Sequence, residues 1–123
     1  MIKIKHLLDT VEASDGHRMW VEPIGLTKDL WAWCSVTHLL SGLGPPMAIW
    51  EWFQDHPEGY DYFRGKYHEF LSRKDRKKVL MHLAAAALNE DITLLHQGDD
   101  PMRNSATALY EYLSELQAYC KPE

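Results

Sequence analysis

The densest group of polar side chains that could do chemistry lies in residues 96–104, HQGDDPMRN. His96 can act as an acid or a base, because imidazole titrates near neutral pH. Asp99 can orient that ring or bind a cationic group, and these two residues are our candidate catalytic pair. The ligand-binding candidates in the same stretch are Gly98, Asp100, Arg103 and Asn104.

Part of this stretch also has a structural role available to it. Asp100 is a good N-cap, since its carboxylate can accept a hydrogen bond from the N–H of Met102 or Arg103. Pro101 then fits the first helical position, where no N–H is needed. Asn104 can bond back to the loop. We therefore expect Asp100 to start a helix before it has any further role.

Two residues outside the stretch are further ligand-binding candidates. Glu22 lies in the loop 22–27 and His56 precedes a proline, and either one meets His96 only if the fold brings them together. The seven histidines show no tight ligand spacing, and the two cysteines form no CxxC pair. No zinc motif and no Gly-rich phosphate or dinucleotide loop is present. We predict no metal and no cofactor.

Apolar periodicity predicts the elements that position these residues. Ile2–His6 alternates apolar and polar residues, which is typical of a half-buried strand, and His17–Val21 is a second short strand. Ile92–Leu95 is an apolar run typical of a parallel strand covered on both faces. Thr27–Leu40 has two interpretations, a helix capped by Thr27 or a short strand that alternates from Trp33 to His38.

Three helices are predicted between these strands. They run from Pro46 to about Gln54, from Pro57 or Glu58 to about Leu71, and from an N-cap at Ser72 to about Asn89 with Val79 and Leu80 on its buried stripe. Strands separated by helices indicate an α/β domain. We predict one domain over 1–123, with a small, mostly parallel sheet of three to four strands flanked by helices.

Composition limits the partners. The chain carries a formal net charge of -5, whereas nucleic-acid binding usually needs a basic face. The basic run Arg73–Lys78 raises an RNA hypothesis, but solvated positions on a helix account for it better, and we expect no nucleic-acid partner. Five Trp residues predict some rings at the core's edge or in a homo-oligomer contact.

We also expect no signal for export or membrane insertion. Charges interrupt the N-terminal MIKIKHLLDT where a signal peptide needs an apolar run. No apolar stretch approaches the ~20 residues of a membrane span. We expect a cytoplasmic protein with both thiols free and no membrane contact.

Three ordered blocks carry a family resemblance. They are Ile2–Lys5 with Asp15–Val21, then Trp50–Pro57 with Tyr60, Phe63 and Tyr67, and finally Ile92–Leu95 with Asp100, Asn104, Ala106 and Leu109. Together they resemble the YeaO-like branch of the DUF488 family, a bacterial and archaeal domain of unknown function. The resemblance covers nearly the whole chain and implies an α/β fold without an established activity.

The departures from that family concern its loops. Members usually follow the second strand with Asp-Arg-Leu-Trp-Pro-Arg-Gly, whereas residues 22–27 here read EPIGLT and contain no arginine. The usual His-Asp-Pro is inverted as Asp55-His56-Pro57, and His96 stands where an aromatic residue is common. If the arginine-bearing loop makes the family's site, this chain has lost or changed it.

These observations favour a non-catalytic module that binds a small-molecule ligand or a protein partner. The alternative is a small, hydrolase-like enzyme that uses His96 with Asp99 or Asp100 at the strand end. A third hypothesis is an RNA-associated protein that uses Arg73–Lys78.

Overall fold

The structure is a computed structural model that describes residues 1–40 and 42–120. Position 41 and the last part of the predicted domain, 121–123, lie outside the described residues. Four strands form one sheet in the described residues, which confirms the predicted α/β fold. The strands are β1 (Ile2–His6), β2 (His17–Trp20), β3 (His38–Leu39) and β4 (Ile92–His96).

All pairs in this sheet are parallel, in the order β1-β4-β2-β3. β4 is therefore flanked by a strand on each side, and all five of its residues are buried. A parallel strand covered on both faces has no solvent-facing side, which accounts for its apolar sequence. The register places Ile92 beside Ile2 and His17, and His96 beside His6.

Five α-helices fill the connections in the described part of the chain. They are α1 (Lys28–Trp33), α2 (Met47–Asp55), α3 (Tyr60–Leu71), α4 (Lys74–Ala86) and α5 (Ser105–Gln117). Short 3-10 turns lie at Ala13–Asp15 and Pro57–Gly59. None of the described helices is both long and apolar enough to cross a membrane.

The main apolar core lies between one face of the sheet and helices α2 to α5. Phe63, Tyr67 and Leu109 are fully buried there against Leu94 of β4. The ring of Phe63 stacks on that of Phe53, with centroids 4.4 Å apart. Burying each of these large side chains contributes about 1.5–3 kcal/mol to the free energy of unfolding.

A smaller core covers the other face of the sheet. It contains Leu7, Trp20, Cys34, Val36 and Leu95. The indole N–H of Trp20 donates to the carbonyl of Ile24, 2.7 Å away. Residues that follow β1 and β2 therefore pack on the face opposite the main helix layer.

Lys3 and Lys5 of β1 face a buried carboxylate on this second face. Asp15 accepts from Lys5 at 2.8 Å, from Lys3 at 3.2 Å and from Arg18 at 2.6 Å. Burial by itself raises the pKa of Asp15, but hydrogen bonds from Lys5, the Glu12 backbone, Lys3 and Arg18 outweigh it and lower that pKa. The alternation in β1 thus reflects an ion cluster rather than a solvent-facing edge.

The helix interpretation of residues 27–40 is correct, whereas the alternating strand from Trp33 to His38 is wrong except at His38. The Thr27 hydroxyl accepts a hydrogen bond from the Leu30 N–H at 3.2 Å and caps α1. Only His38 and Leu39 then pair with β2, as the short strand β3. The predicted start of α2 differs by one residue, because Pro46 is the N-cap of α2 and Met47 is its first residue.

The prediction that Ser72 caps α4 is wrong. Its hydroxyl instead donates to the Glu69 carbonyl at 2.7 Å, at the end of α3. Arg73 is the cap and makes no side-chain capping bond, and α4 ends at Ala86 rather than near Asn89. Val79 is 54% exposed and does not belong to the buried stripe, whereas Leu80 is fully buried.

Candidate ligand-binding site

Two neighbouring connections leave the carboxyl end of the sheet toward opposite faces. The chain after β4 enters α5, which packs in the main core through Ala106 and Leu109. The chain after β2 packs in the smaller core through Ile24 and Leu26. Crevices at such a switch point are where open α/β sheets bind ligands.

A cavity of about 270 Å³ opens between these two connections. We call it the Glu22 cleft. It brings together six of the predicted site residues, which are Glu22, Gly98, Asp99, Asp100, Arg103 and Asn104. Phe53, Gln54, Pro57 and Ser105 complete the lining, and no sequence motif marks these four as site residues.

Glu22 is a buried carboxylate in the wall of this cleft, 8% exposed. One of its oxygens accepts from the Trp50 indole N–H at 3.2 Å, and the other accepts from the Gln97 backbone N–H at 3.1 Å. Burial raises its pKa by more than the Ser105 hydroxyl and these two donors lower it. Three separate segments thus fix the position of one carboxylate.

The loop before α5 forms a closed turn of its own. The Asp100 carboxylate accepts from the N–H groups of Met102 at 2.8 Å and Arg103 at 3.2 Å, as predicted. The prediction that Asp100 starts the helix is wrong, because α5 begins at Ser105. Asn104 caps α5 by accepting a hydrogen bond from the Thr107 N–H at 2.9 Å.

Asn104 also bonds back to the loop, as predicted. Its amide N–H donates to the Asp100 carbonyl at 2.9 Å. The Arg103 guanidinium lies 3.4 Å from the Asp100 carboxylate. The Met102 amide and the Arg103 side chain hold the pKa of Asp100 below its ordinary value.

A second cavity, of about 310 Å³, lies on the β1 side of the same loop. We call it the His96 cavity, and it shares Gly98 and Asp99 with the Glu22 cleft. His96 is 3% exposed, and burial and then the neighbouring His6 lower its pKa to about 4. Its ring is therefore uncharged at neutral pH. No hydrogen bond or ion pair joins it to Asp99 in the described part of the chain.

His6 is a residue of this cavity that the sequence analysis missed. Its ring meets the His96 ring edge to face, with centroids 5.5 Å apart. Its Nδ1 accepts from the Leu8 N–H at 3.1 Å, so its Nε2 carries the proton and donates to the Gln97 carbonyl at 3.2 Å. Parallel pairing of the two predicted strands was the signal that could have placed these histidines together.

Comparison with known proteins adds one finding. A family model described as the inactive DUF488-N3 subclade matches residues 1–121. The chain belongs to this DUF488 subclade. The resemblance to DUF488 is thereby confirmed, and its assignment to the YeaO-like branch stays a prediction. No curated protein and no solved structure matches the chain.

His56 of this DUF488 chain lines neither cavity. It ends α2, where its ring stacks on Trp52 with centroids 4.6 Å apart and its Nδ1 lies 2.9 Å from the Trp52 carbonyl. Among the described residues of the DUF488 chain, no group of three or more His, Cys, Asp or Glu could hold a metal ion.

The aromatic surface and the basic run lie away from both cavities. Trp33 is 84% exposed on α1, and Trp52 lines a groove between α2 and α3. The Arg76 guanidinium lies over the Phe70 ring, 3.8 Å from its centroid. The homo-oligomer contact of the DUF488 chain stays a prediction, and so does the expected absence of a nucleic-acid partner.

Proposed function

We propose that the protein is a non-catalytic module that binds a small ligand in the Glu22 cleft. The observation that carries this proposal is the Glu22 carboxylate, buried in the cleft wall and held by donors from Trp50 and Gln97. These donors carry no charge, and no ion pair to Glu22 is found among the described residues, although desolvating a charge costs free energy. A ligand that pairs with Glu22 offsets that cost.

The charges around the cleft define the chemistry of this ligand. Glu22 and Asp99 contribute negative charge, while the Arg103 guanidinium already lies beside the Asp100 carboxylate. A ligand with an amine, amidine or guanidine group can donate charge-assisted hydrogen bonds to Glu22. Phe53 and Pro57 offer apolar contact to the rest of it. We propose a small cation with an apolar body.

Two observations support the absence of catalysis. The pKa of His96 is about 4, far below the value at which a general base works best near neutral pH. The matched subclade is itself described as inactive. The alternative, a hydrolase using His96 with Asp99 or Asp100, is weakened further because Asp100 does not line the His96 cavity.

Benzamidine and benzoate test the proposal, because they share one ring and differ in the sign of their charge. We expect benzamidine to bind the wild-type protein more tightly than benzoate in ligand-observed NMR titrations. Losing a charged hydrogen bond is worth about 1.5–3 kcal/mol, so Glu22→Gln should weaken benzamidine binding about tenfold or more.

The matched control is Glu51→Gln, the same substitution at an exposed position of α2. It should leave benzamidine affinity unchanged. Equal binding of benzoate, or equal benzamidine affinity in Glu22→Gln, would contradict the proposal. Turnover of p-nitrophenyl acetate by the wild-type protein that disappears in His96→Phe would instead support the hydrolase.

We also propose a reducing, cytoplasmic setting for this module. Cys34 and Cys120 are both free thiols, and Cys34 is buried in the smaller core. Unpaired cysteines are typical of reducing compartments. Fractionation of cells that express the tagged protein would test this expectation.

A further inference from the structure

A groove of about 370 Å³ lies between α2 and α3, apart from the Glu22 cleft and the His96 cavity. We call it the Trp52 groove. Its lining is mostly apolar and includes the rings of Trp52, Tyr62 and Phe70. It shares no lining residue with the other two cavities. The groove is therefore a separate surface of the molecule, with its own chemistry.

The helix repeat sets the length of this groove. Tyr62, Lys66 and Phe70 recur every four residues along α3, so they share one face of that helix. At a rise of about 1.5 Å per residue, the stretch from Tyr62 to Phe70 covers about 12 Å. Ile49 and Trp52 of α2 line the groove beside them. An extended segment of about four residues has this length.

The Trp52 ring is held in place in the groove wall. The His56 ring stacks on it with centroids 4.6 Å apart, and the Tyr62 ring lies 4.7 Å away at 59°. Gly59 leaves room for the indole, because a Cβ built at that position would overlap the Cη2 atom of Trp52. A side chain fixed in this way loses little entropy when a partner binds to it.

Two polar atoms of these rings are free to bind a partner. Neither the Trp52 indole N–H nor the Tyr62 hydroxyl bonds to a described residue, whereas the indoles of Trp20 and Trp50 both have acceptors. The Trp52 N–H is not among the buried polar atoms that lack a partner, so solvent reaches it. Tyr62 is 52% exposed. The groove therefore offers two accessible donors beside aromatic surface.

The charged side chains of the groove favour an acidic partner. Lys66 and Arg73 line it together with one carboxylate, that of Glu69. The Lys66 ammonium lies 3.8 Å from Glu69 and 5.8 Å from the Tyr62 ring centroid. The Arg73 guanidinium lies 5.5 Å from the Phe70 ring centroid and pairs with no carboxylate in the described part of the chain. The lining is thus net positive on a chain with a formal net charge of -5.

We propose that the Trp52 groove binds a proline-rich segment of a protein partner, in the polyproline II conformation and with acidic residues beside the prolines. Such a segment has no internal hydrogen bonds, so its carbonyls can accept from the Trp52 and Tyr62 donors. Its proline rings pack on aromatic side chains, and its fixed φ reduces the entropy lost on binding. The acidic residues complement Lys66 and Arg73.

Other occupants match these groups less well. The backbone carbonyls of an amphipathic helix bond within the helix, so the donors of Trp52 and Tyr62 would stay unpaired beneath it. A basic segment would bring its charges close to Lys66 and Arg73, and like charges at an interface oppose binding. An acidic, proline-rich segment avoids both costs.

Three acetylated and amidated peptides test this inference. EPPPPPE has the proposed chemistry, EGGGGGE keeps its charge without the prolines, and KPPPPPK reverses its charge. We expect EPPPPPE to bind most tightly and to shift the Trp52 indole 15N–1H resonance of the wild-type protein, which is assigned by its loss in Trp52→Phe. Equal affinity for EGGGGGE or for KPPPPPK would overturn the proposal.

Tyr62→Phe removes only a hydroxyl group from an exposed ring, so the fold is retained. EPPPPPE affinity should fall about fivefold, which corresponds to one hydrogen bond. The matched control is Tyr110→Phe, at an exposed position of α5 outside the groove, and it should leave the affinity unchanged. Unchanged affinity in Tyr62→Phe would count against the proposal as directly as a loss in Tyr110→Phe.

Trp52→Phe removes the indole N–H and part of the aromatic surface. It should weaken EPPPPPE binding about tenfold. Trp33→Phe is the matched control, because Trp33 is exposed on α1 and does not line the groove. A folded Trp52→Phe protein that binds EPPPPPE as tightly as the wild type would refute the role of the groove.

Arg73→Gln tests the charge complementarity separately. It should narrow the difference in affinity between EPPPPPE and KPPPPPK, whereas Lys77→Gln, an exposed cation of α4 outside the groove, should not. The same difference in both variants would remove Arg73 from the proposal and contradict it.

Analytical ultracentrifugation distinguishes a peptide partner from a second copy of the chain. We expect EPPPPPE binding to leave the sedimentation of the protein unchanged. A dimer that EPPPPPE dissociates and that Trp52→Phe abolishes would assign the groove to a second copy and overturn the proposal. Glu22→Gln should weaken benzamidine binding and spare EPPPPPE, so the Trp52 groove and the Glu22 cleft stand or fall separately.

Discussion

The Glu22 carboxylate accepts a hydrogen bond from the backbone N–H of Gln97, 3.1 Å away and 75 positions later in the sequence. This bond joins the chain that leaves β2 to the chain that leaves β4, just beyond the two strands. The bond therefore holds the two connections that form the Glu22 cleft together. The Trp50 indole then ties α2 to the same carboxylate at 3.2 Å.

The pH dependence of stability should reveal the burial of Glu22. Burial raises its pKa above the ordinary value of 4.5, so the folded state favours the protonated acid. The stability that protonation contributes is complete below the unfolded pKa and is lost as pH rises through the folded pKa. Relative to Glu22→Gln, the wild-type protein should therefore lose stability as pH rises above 4.5.

Urea unfolding of both proteins across this pH range measures the effect. Glu51→Gln is the control, because an exposed carboxylate should give no such difference. Parallel stability curves for wild type and Glu22→Gln would show that Glu22 titrates as in the unfolded chain.

The titration of His96 should change the pH dependence of stability in the opposite direction to that of Glu22. Its pKa falls from the ordinary value of 6.5 to about 4, because burial disfavours the charged ring. A group with a lowered basic pKa stabilises the fold above its unfolded pKa, and this stabilisation is lost as pH falls toward 4. The shift corresponds to about 3 kcal/mol of stability lost on acidification.

NMR titration of the His96 ring carbons measures this pKa directly. A midpoint for His96 near 6.5 would contradict the buried, neutral imidazole. Acid unfolding before the midpoint is reached would still agree with a low pKa, provided that His96→Phe unfolds at lower pH.

The fold could be predicted from sequence where one physical pattern dominated. The predictions of β1 and β4 are confirmed, because period-two alternation and a short apolar run between turn residues both favour a strand. The predicted start of α4 is wrong, because a hydroxyl group can bond to several backbone partners. The Ser72 hydroxyl bonds to Glu69 of the preceding helix, and no local pattern distinguishes this from a cap.

The candidate site was predicted only as far as its residues are contiguous. Gly98 to Asn104 could be found as a cluster because one loop carries them. Phe53, Gln54 and His6 come from distant parts of the chain and meet them only through the strand order. Glu22 was named as a candidate, but its burial depends on Trp50 and Gln97, which the sequence does not place beside it.

The identity of the α5 cap can be tested by substitution. Asn104 accepts from the Thr107 N–H at 2.9 Å, and loss of an N-cap side chain typically costs about 1 kcal/mol. Asn104→Ala also removes the bond to the Asp100 carbonyl. It should therefore lower the free energy of unfolding more than Asp100→Ala does, as measured by urea titration. The reverse order would restore Asp100 as the residue that starts the helix.

The ion cluster around Asp15 predicts that a single conservative substitution there strongly lowers the free energy of unfolding. The side chains of Asp15 and Arg18 are 1% and 2% exposed and lie 2.6 Å apart. Asp15→Asn keeps the shape of the side chain but leaves the positive charge of Arg18 without its partner. Breaking a buried pair in this way costs about 3–5 kcal/mol, because one charge stays desolvated.

Asp75→Asn is the matched control, since Asp75 is 71% exposed and pairs with Arg76 at 3.0 Å. Exposed pairs contribute about 0–1 kcal/mol, so this variant should unfold almost as the wild type does. Because the pKa of Asp15 is lowered, its contribution is present above the unfolded pKa of 3.8 and is lost as pH falls below it. Equal losses in the two variants at pH 7 would mean that water screens the Asp15 cluster as fully as the surface pair.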